Sequence, residues 1–174
     1  MKSTELKKTL ERFDKKELIR LIIELAKLKK DNMEWLEIEF QRPDELPELL
    51  EYHKTKILNA LDSNDLRAAK KAISDFKKYS SDRESLIDLM IYYVEQGTEI
   101  TIAYGDMYEK FYISMESMYW EVISNLDEWD DKELIEKFRP RLEKLVMITE
   151  EVGWGYSDKL CEFYNELRTS EKEE

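Results

Sequence analysis

Chemistry-bearing residues are scarce in this chain. The only cysteine is Cys161, so an internal disulfide framework is excluded. The only histidine is His53, far from Cys161 in sequence, and the His/Cys sets that hold zinc or mononuclear iron are missing. A helical carboxylate di-iron site needs Glu-x-x-His twice, and here the residue three before His53 is Leu50. There are four glycines and three prolines, too few for a turn-rich fold. Gly153-Trp154-Gly155-Tyr156 has two glycines but no preceding strand pattern and no third glycine, which argues against a dinucleotide-binding loop. Asp127-Glu128-Trp129-Asp130-Asp131-Lys132 lacks the alternating oxygen ligands and central glycine of a calcium loop. No cofactor and no metal is expected.

Long apolar runs are missing too. None approaches the ~18 residues that span a bilayer. The opening Met1-Lys2-Ser3-Thr4-Glu5-Leu6 lacks the apolar centre of a signal peptide. With one cysteine, the economical expectation is a reducing, cytoplasmic setting without a membrane partner.

What is abundant is charge, at 39% of residues, with a net charge of -12. A surface that acidic repels phosphate backbones and argues against nucleic acid as a partner. The charge is uneven: residues 1–30 hold ten Lys/Arg and five Asp/Glu, a net +5, which leaves -17 for the remainder. Either this is a solvated helix face, or the basic N-terminal helices dock on an acidic surface of this chain or of a second copy.

Lys, Glu and Leu suit long helices with charged outer faces. Leu6, Leu10 and Phe13 give a first helix over 3–13. Asp14-Lys15-Lys16-Glu17 has the form of a capping box and opens a helix to about Lys30. A short segment with Met33, Leu36 and Phe40 follows, and Pro43 and Pro47 mark a break. Helices are expected over 46–61, with Leu50, Ile57, Leu58 and Leu61 inward, and over 66–79, with Asp65 as cap. Asp82 caps the next, where Leu86 to Val94 is apolar on nearly every side, so this helix needs cover from several neighbours. Gly97 fits the residue that ends it, and 98–103 reads as a helix start or an extended loop. Met107, Phe111, Met115, Met118, Val122 and Leu126 then hold one face for several turns. Pro140 should kink or split the helix over 132–152. Tyr156, Leu160, Phe163, Tyr164 and Leu167 give the last. The expected fold is all-α: a single domain over 1–168 with about seven to nine helices, an antiparallel bundle or a short superhelical stack, and a charged tail at 169–174.

Four stretches together carry a resemblance. They are Ala69-Lys70-Lys71-Ala72-Ile73-Ser74-Asp75-Phe76-Lys77-Lys78; Tyr92-Tyr93-Val94-Glu95-Gln96-Gly97; Tyr104-Gly105-Asp106 with Phe111-Tyr112-Ile113-Ser114-Met115-Glu116-Ser117-Met118; and Gly153-Trp154-Gly155-Tyr156. The chain resembles a family of small bacterial helical proteins known only as a domain of unknown function, over about residues 10–168 and most strongly over 69–118. The resemblance implies a single domain from a bacterial, intracellular setting. It implies no activity, cofactor or catalytic residue.

No stretch carries a specific chemical signal. Nothing in the sequence pairs Cys161 with His53 for nucleophilic catalysis, and His53 is expected to be a partly buried, hydrogen-bonded histidine. Arg67, Lys70, Lys71, Lys77 and Lys78 form the best basic patch, diluted by Asp65, Asp75 and Asp82. The aromatic surplus at Tyr92, Tyr93, Tyr104, Tyr108, Tyr112, Tyr119 and Trp120 is either a core with bonded tyrosines or a recognition face helped by Met107, Met115 and Met118. The reading placed first is a non-enzymatic module that binds a protein partner, or a second copy of itself, through residues 92–120. The alternative is a small-molecule-binding protein, or an enzyme without metal or cofactor, with its site near Tyr104, Asp106 and Trp154. Candidate binding residues are therefore Tyr92, Tyr104, Asp106, Tyr108, Tyr112, Tyr119 and Trp154, with none assigned a catalytic role.

Overall fold

The computed structural model describes residues 3–29, 32, 33, 36, 46–150, 152, 153 and 155–170. Among these are eight α-helices and no strand, so the fold is all-α. The chain divides into two compact units, Met1–Pro43 and Asp44–Glu174.

The N-terminal unit holds α1 (Ser3–Leu10) and α2 (Lys15–Leu28). Asp14 starts α2 as its sequence suggests: the carboxylate accepts from the Glu17 N–H at 2.8 Å, and the Glu17 carboxylate accepts from the Asp14 N–H at 2.9 Å. Both exchanges satisfy donors that a helix start leaves open. α1 ends at Leu10, short of the expected Phe13. The expected segment around Phe40 lies largely outside the described residues.

The larger unit holds α3 (Leu46–Asp62), α4 (Leu66–Tyr79), α5 (Arg83–Tyr104), α6 (Glu109–Trp129), α7 (Lys132–Ile148) and α8 (Tyr156–Ser170). Three of these starts are set by an aspartate whose side chain accepts from the third backbone N–H onward: Asp65 from Ala68, Asp82 from Ser85 and Asp131 from Leu134.

α5 is the centre, packed against α3, α4, α6 and α7, while α8 packs on α6 and α7. Ten of its residues are buried, including the consecutive Leu89, Met90 and Ile91, which point to different sides. Side-chain partners give the directions. Glu84 meets Lys137 and Asp88 meets Arg141, so α5 and α7 run parallel. Tyr112 meets Tyr156 and Trp120 meets Phe163, so α6 and α8 do too. Met90 meets Asn125 while Gly97 meets Met115, so α5 and α6 oppose each other. The result is a four-helix arrangement of α5, α6, α8 and α7, with the α3–α4 pair laid on α5.

Several expectations are corrected here. Gly97 does not end a helix: α5 runs through it for two further turns, and residues 98–103 are helical. Its role is steric. A Cβ at Gly97 would lie 2.2 Å from the Met115 sulfur, so the missing side chain lets α5 and α6 approach. The actual stop is Gly105, at φ +91°, whose N–H donates to the Thr101 carbonyl at 2.9 Å. Pro140 does not split α7, which is continuous across it. The buried face of α3 is Leu49, His53, Ile57 and Leu61, with Leu50 and Leu58 at its margins.

Candidate functional site

The predicted site residues fall into three environments. Tyr112 and Tyr119 are core residues, at 2% and 0% exposure, as are Tyr93, Met115 and Met118. The rings and methionines of α5 and α6 that would have made one recognition face are mostly turned inward, because both helices are covered by neighbours. Their hydroxyls are paired: Tyr93 with Ser114 at 2.7 Å, and Tyr119 donating to the Leu142 carbonyl at 3.2 Å. Burial pushes the Tyr93 phenol up to about 12 and Tyr119 higher still, so both stay protonated and serve as hydrogen-bonding links. Tyr92 is half-buried on the other side of α5, under the Lys54 ammonium at 5.6 Å from its ring centre.

Tyr104, Asp106 and Tyr108 are exposed, and they lie at one end of the larger unit. There α5 stops, the chain turns at Gly105, and α6 begins. Tyr112 reaches back into this turn, accepting from the Met107 N–H and donating to Asp106 Oδ1, each at 3.1 Å. Its ring leans on Tyr156 at the start of α8, with centres 5.4 Å apart, and the Tyr156 hydroxyl is bonded to Thr98 at 3.0 Å. Gly153 passes close by: a Cβ there would sit 3.3 Å from both Asp106 carboxylate oxygens. Trp154 lies outside the described residues.

Beside this turn runs a groove of about 460 Å³, between Thr101, Ile102 and Asp106 on one side and Met147, Ile148 and Glu150 on the other. Its walls are mixed, with the apolar side chains of Ile102 (55% exposed) and Met147 (68% exposed) beside polar ones. Among the described residues its charged lining side chains are Asp106 and Glu150, both acidic. Thr101 is itself buried; its hydroxyl lies near that of Tyr112 but makes no hydrogen bond of normal geometry among the described residues. The sequence pointed to Tyr104 and Asp106; it did not point to Thr101, Met147 or Ile148, which reach the groove only because α5 and α7 run parallel and end together.

The opposite end is sealed differently. A polar cleft of about 810 Å³ lies between the α5 and α7 starts, but Asp82 and Asp131 there already cap their helices, and Lys137 pairs with Glu84. Between the ends, Asp88 ties three helices: Lys54 of α3 donates to it at 2.8 Å and Arg141 of α7 also donates to it, while Arg141 grips Glu95 with two further bonds. Burial alone would push the Asp88 carboxyl up. The bonds from Lys54 and Arg141 outweigh that and hold it below the usual carboxylate range.

The α4 basic patch is largely engaged. Lys70 bonds Ser117 at 3.0 Å, Lys77 bonds Glu121 at 2.7 Å and Lys78 bonds Asp75 at 2.6 Å. His53 departs from expectation. It is fully buried among Tyr52, Phe76 and Tyr79, and neither ring nitrogen makes a hydrogen bond of normal geometry among the described residues, the backbone of Ala72 being near enough only to act weakly on the ring. Burial first, and Lys56 second, push its pKa down to about 4. Cys161 is an exposed thiol on α8. Among the described residues no group of three or more His, Cys, Asp and Glu is placed to hold a metal, and no helix is long and apolar enough to cross a membrane.

The N-terminal unit carries the other unusual surface. In α2 only Ala26 is buried, while Ile19, Ile22, Ile23, Leu25 and Leu28 are exposed, Leu28 at 75%. α1 is too short to cover this face; Leu6, Leu10 and Leu18 frame a shallow groove between the two helices.

Compared with known proteins, the chain matches no family model, no curated protein and no solved structure at a significant level.

Proposed function

We propose that this protein is a non-enzymatic protein-interaction module, and that its contact surface is the apolar face of α2. The observation that carries this reading is the run of five exposed aliphatic side chains along one helix. Single exposed leucines are ordinary, whereas five exposed aliphatic side chains on one helix of 14 residues are characteristic of a binding surface. The tyrosines of residues 92–120 form no single face, since Tyr93, Tyr112 and Tyr119 are interior while Tyr104 and Tyr108 are exposed, and the N-terminal unit offers the more extensive apolar surface.

The occupant we assign is α2 of a second copy. An apolar stripe is complementary to itself, and the polar side of α2, with Lys16, Arg20, Glu24 and Lys27, would remain in water. Burying the exposed half of each aliphatic side chain is worth about 1 kcal/mol, so both copies together supply roughly 10 kcal/mol. Association costs about 4–15 kcal/mol, so the dimer is weak and concentration-dependent. Two copies of net charge -12 repel, so added salt strengthens the contact. The exposed Cys161 thiol accords with a reducing cytoplasmic setting, which belongs to the same proposal, as does the kinship to bacterial helical proteins of unknown function.

Light scattering across a concentration series tests this. The mass of the wild-type chain should rise from monomer toward dimer, and Leu25→Glu should hold it at the monomer. A wild-type chain that stays monomeric at about 1 mM removes the self-association reading.

A further inference from the structure

Arg67, Lys70, Lys71, Lys77 and Lys78 share one side of α4 by helical spacing, but their surroundings differ. Lys77 pairs with Glu121 of α6 at 2.7 Å and Lys78 with Asp75 at 2.6 Å, so these charges cancel locally. Among the described residues Arg67, Lys70 and Lys71 have no carboxylate at ion-pair distance. Arg67 and Lys71 are exposed, whereas Lys70 is half-buried against α6. Its Nζ donates to the Ser117 hydroxyl at 3.0 Å, and Ser117 donates in turn to the Ser114 carbonyl at 3.1 Å. A neutral hydroxyl compensates a desolvated ammonium poorly and a neutral amine well. Burial pushes the Lys70 ammonium below the usual lysine range, and Glu121, already paired with Lys77, pulls it back only in part. The neutral amine can give one N–H to Ser117 and keep its lone pair free. A desolvated lysine beside other cations is the form in which proteins use this side chain as a nucleophile.

Charge selects the electrophile. Arg67 and Lys71 are one turn apart on the exposed side, next to Lys70, with about 5–6 Å between the Cβ atoms of such neighbours. Two uncompensated cations beside an amine favour a reagent whose leaving group is an anion; a neutral ester gains nothing from them. An acyl phosphate has both parts, a phosphate for the guanidinium and ammonium and a carbonyl carbon one bond away for the amine. The net charge of -12 opposes this only weakly, because charges beyond about 8 Å are screened.

We propose that Lys70 is a covalent acylation site, its amine taking the acyl group of an acyl phosphate whose phosphate is held by Arg67 and Lys71. The Nζ lone pair attacks the carbonyl carbon and a C–N bond forms. The C–O bond to phosphate breaks, its electron pair leaves on inorganic phosphate, and the amine proton passes to water. The product is a neutral amide, so the patch loses one positive charge. The proposal is independent of the α2 contact: Lys70 lies in the other unit, and either can fail alone.

The test treats the full chain at pH 7 with two acetyl donors, acetyl phosphate and the neutral N-hydroxysuccinimide acetate, and follows each lysine by peptide mass spectrometry. Lys144, exposed on α7, is the internal control. Acetyl phosphate should modify Lys70 about tenfold faster than Lys144, and the neutral ester about threefold faster. Arg67→Gln should slow acetyl phosphate at Lys70 several-fold and leave the neutral ester unchanged, and added salt should do the same. Arg67 is exposed in the first turn of α4, where a cation opposes the helix dipole, so its loss leaves the fold intact. In guanidinium chloride that unfolds the chain, Lys70 and Lys144 should react alike with the neutral ester. Equal rates at the two lysines in the folded chain overturn the proposal. So does an Arg67→Gln variant in which acetyl phosphate modifies Lys70 at the wild-type rate, or a preference for Lys70 that survives unfolding.

Discussion

α2 and α5 are both rich in leucine and isoleucine, yet they meet opposite fates. α5 has ten buried residues and is covered by four other helices; α2 has one buried residue and five exposed aliphatic ones. The difference is not propensity or capping, since Asp14 starts α2 with a full capping box and Asp82 starts α5 with a single bond. It lies in what surrounds each helix. A helix formed and capped by its own residues remains an unfinished surface until something covers it. α5 is finished within the larger unit; the α2 stripe is the place where a partner has work left to do.

The largest effect that could break this comparison comes from truncating one leucine in each helix. Leu89→Ala, in the sealed centre of α5, should cost about 3 kcal/mol through lost burial and a residual cavity. Leu25→Ala, on the open face of α2, should cost less than about 1 kcal/mol at low protein concentration. Urea denaturation of both variants compares them directly, and similar midpoints would mean that α2 is covered after all. If the dimer forms, the Leu25→Ala cost should grow with concentration.

Acid probes the interior of the larger unit from another side. His53 has an ordinary pKa of 6.5, and burial lowers it to about 4. The folded state favours the neutral ring, so its stabilising contribution is complete above pH 6.5. Between 6.5 and about 4 the unfolded chain binds a proton that the folded chain refuses, and stability falls with pH. The loss levels off at about 3 kcal/mol below pH 4. His53→Leu should flatten this slope and hold or raise stability at pH 7, since it removes two unpaired ring nitrogens. An unchanged acid slope in that variant would locate the sensitivity elsewhere.

A smaller effect sharpens the account of how α5 is sealed. Gly97→Ala gains helix propensity but drives a methyl into Met115, for a net cost of about 1–2 kcal/mol. Adding Met115→Ala should return part of that cost, because the contact it relieves is with a flexible side chain. Thermal melts of the two single variants and the double variant give the coupling. Additive costs would mean that the close approach of α5 and α6 does not depend on this pair.

Much of the fold was legible because its causes are local. Aspartates at 14, 65 and 82 start helices through bonds to the next turn, and the Phe111–Leu126 stripe follows from a period of 3.6 residues. The continuous apolar run of Leu86–Val94 required cover from many sides, and α5 has it. Gly97 misled because a glycine in a helix has two physical readings, a left-handed stop or a close contact, and only the position of Met115 chooses between them. His53 misled for a related reason: its spacing placed it on a buried face, but the absence of hydrogen-bond partners depends on Phe76 and Tyr79 of another helix.

Of the candidate site, Tyr104, Asp106 and Tyr108 were found at the surface, and Tyr112 and Tyr119 inside it. Periodicity says that a ring faces sideways from a stripe; it does not say whether a second helix waits there. The sequence by itself determined the all-helical class, the aspartate-capped starts at 14, 65 and 82 and the imbalance of charge, because each depends on neighbours within a few residues. Only the tertiary structure decided which apolar faces are closed, which tyrosines are sealed and that Thr101, Asp106 and Met147 share one groove, because burial is a property of the space between helices.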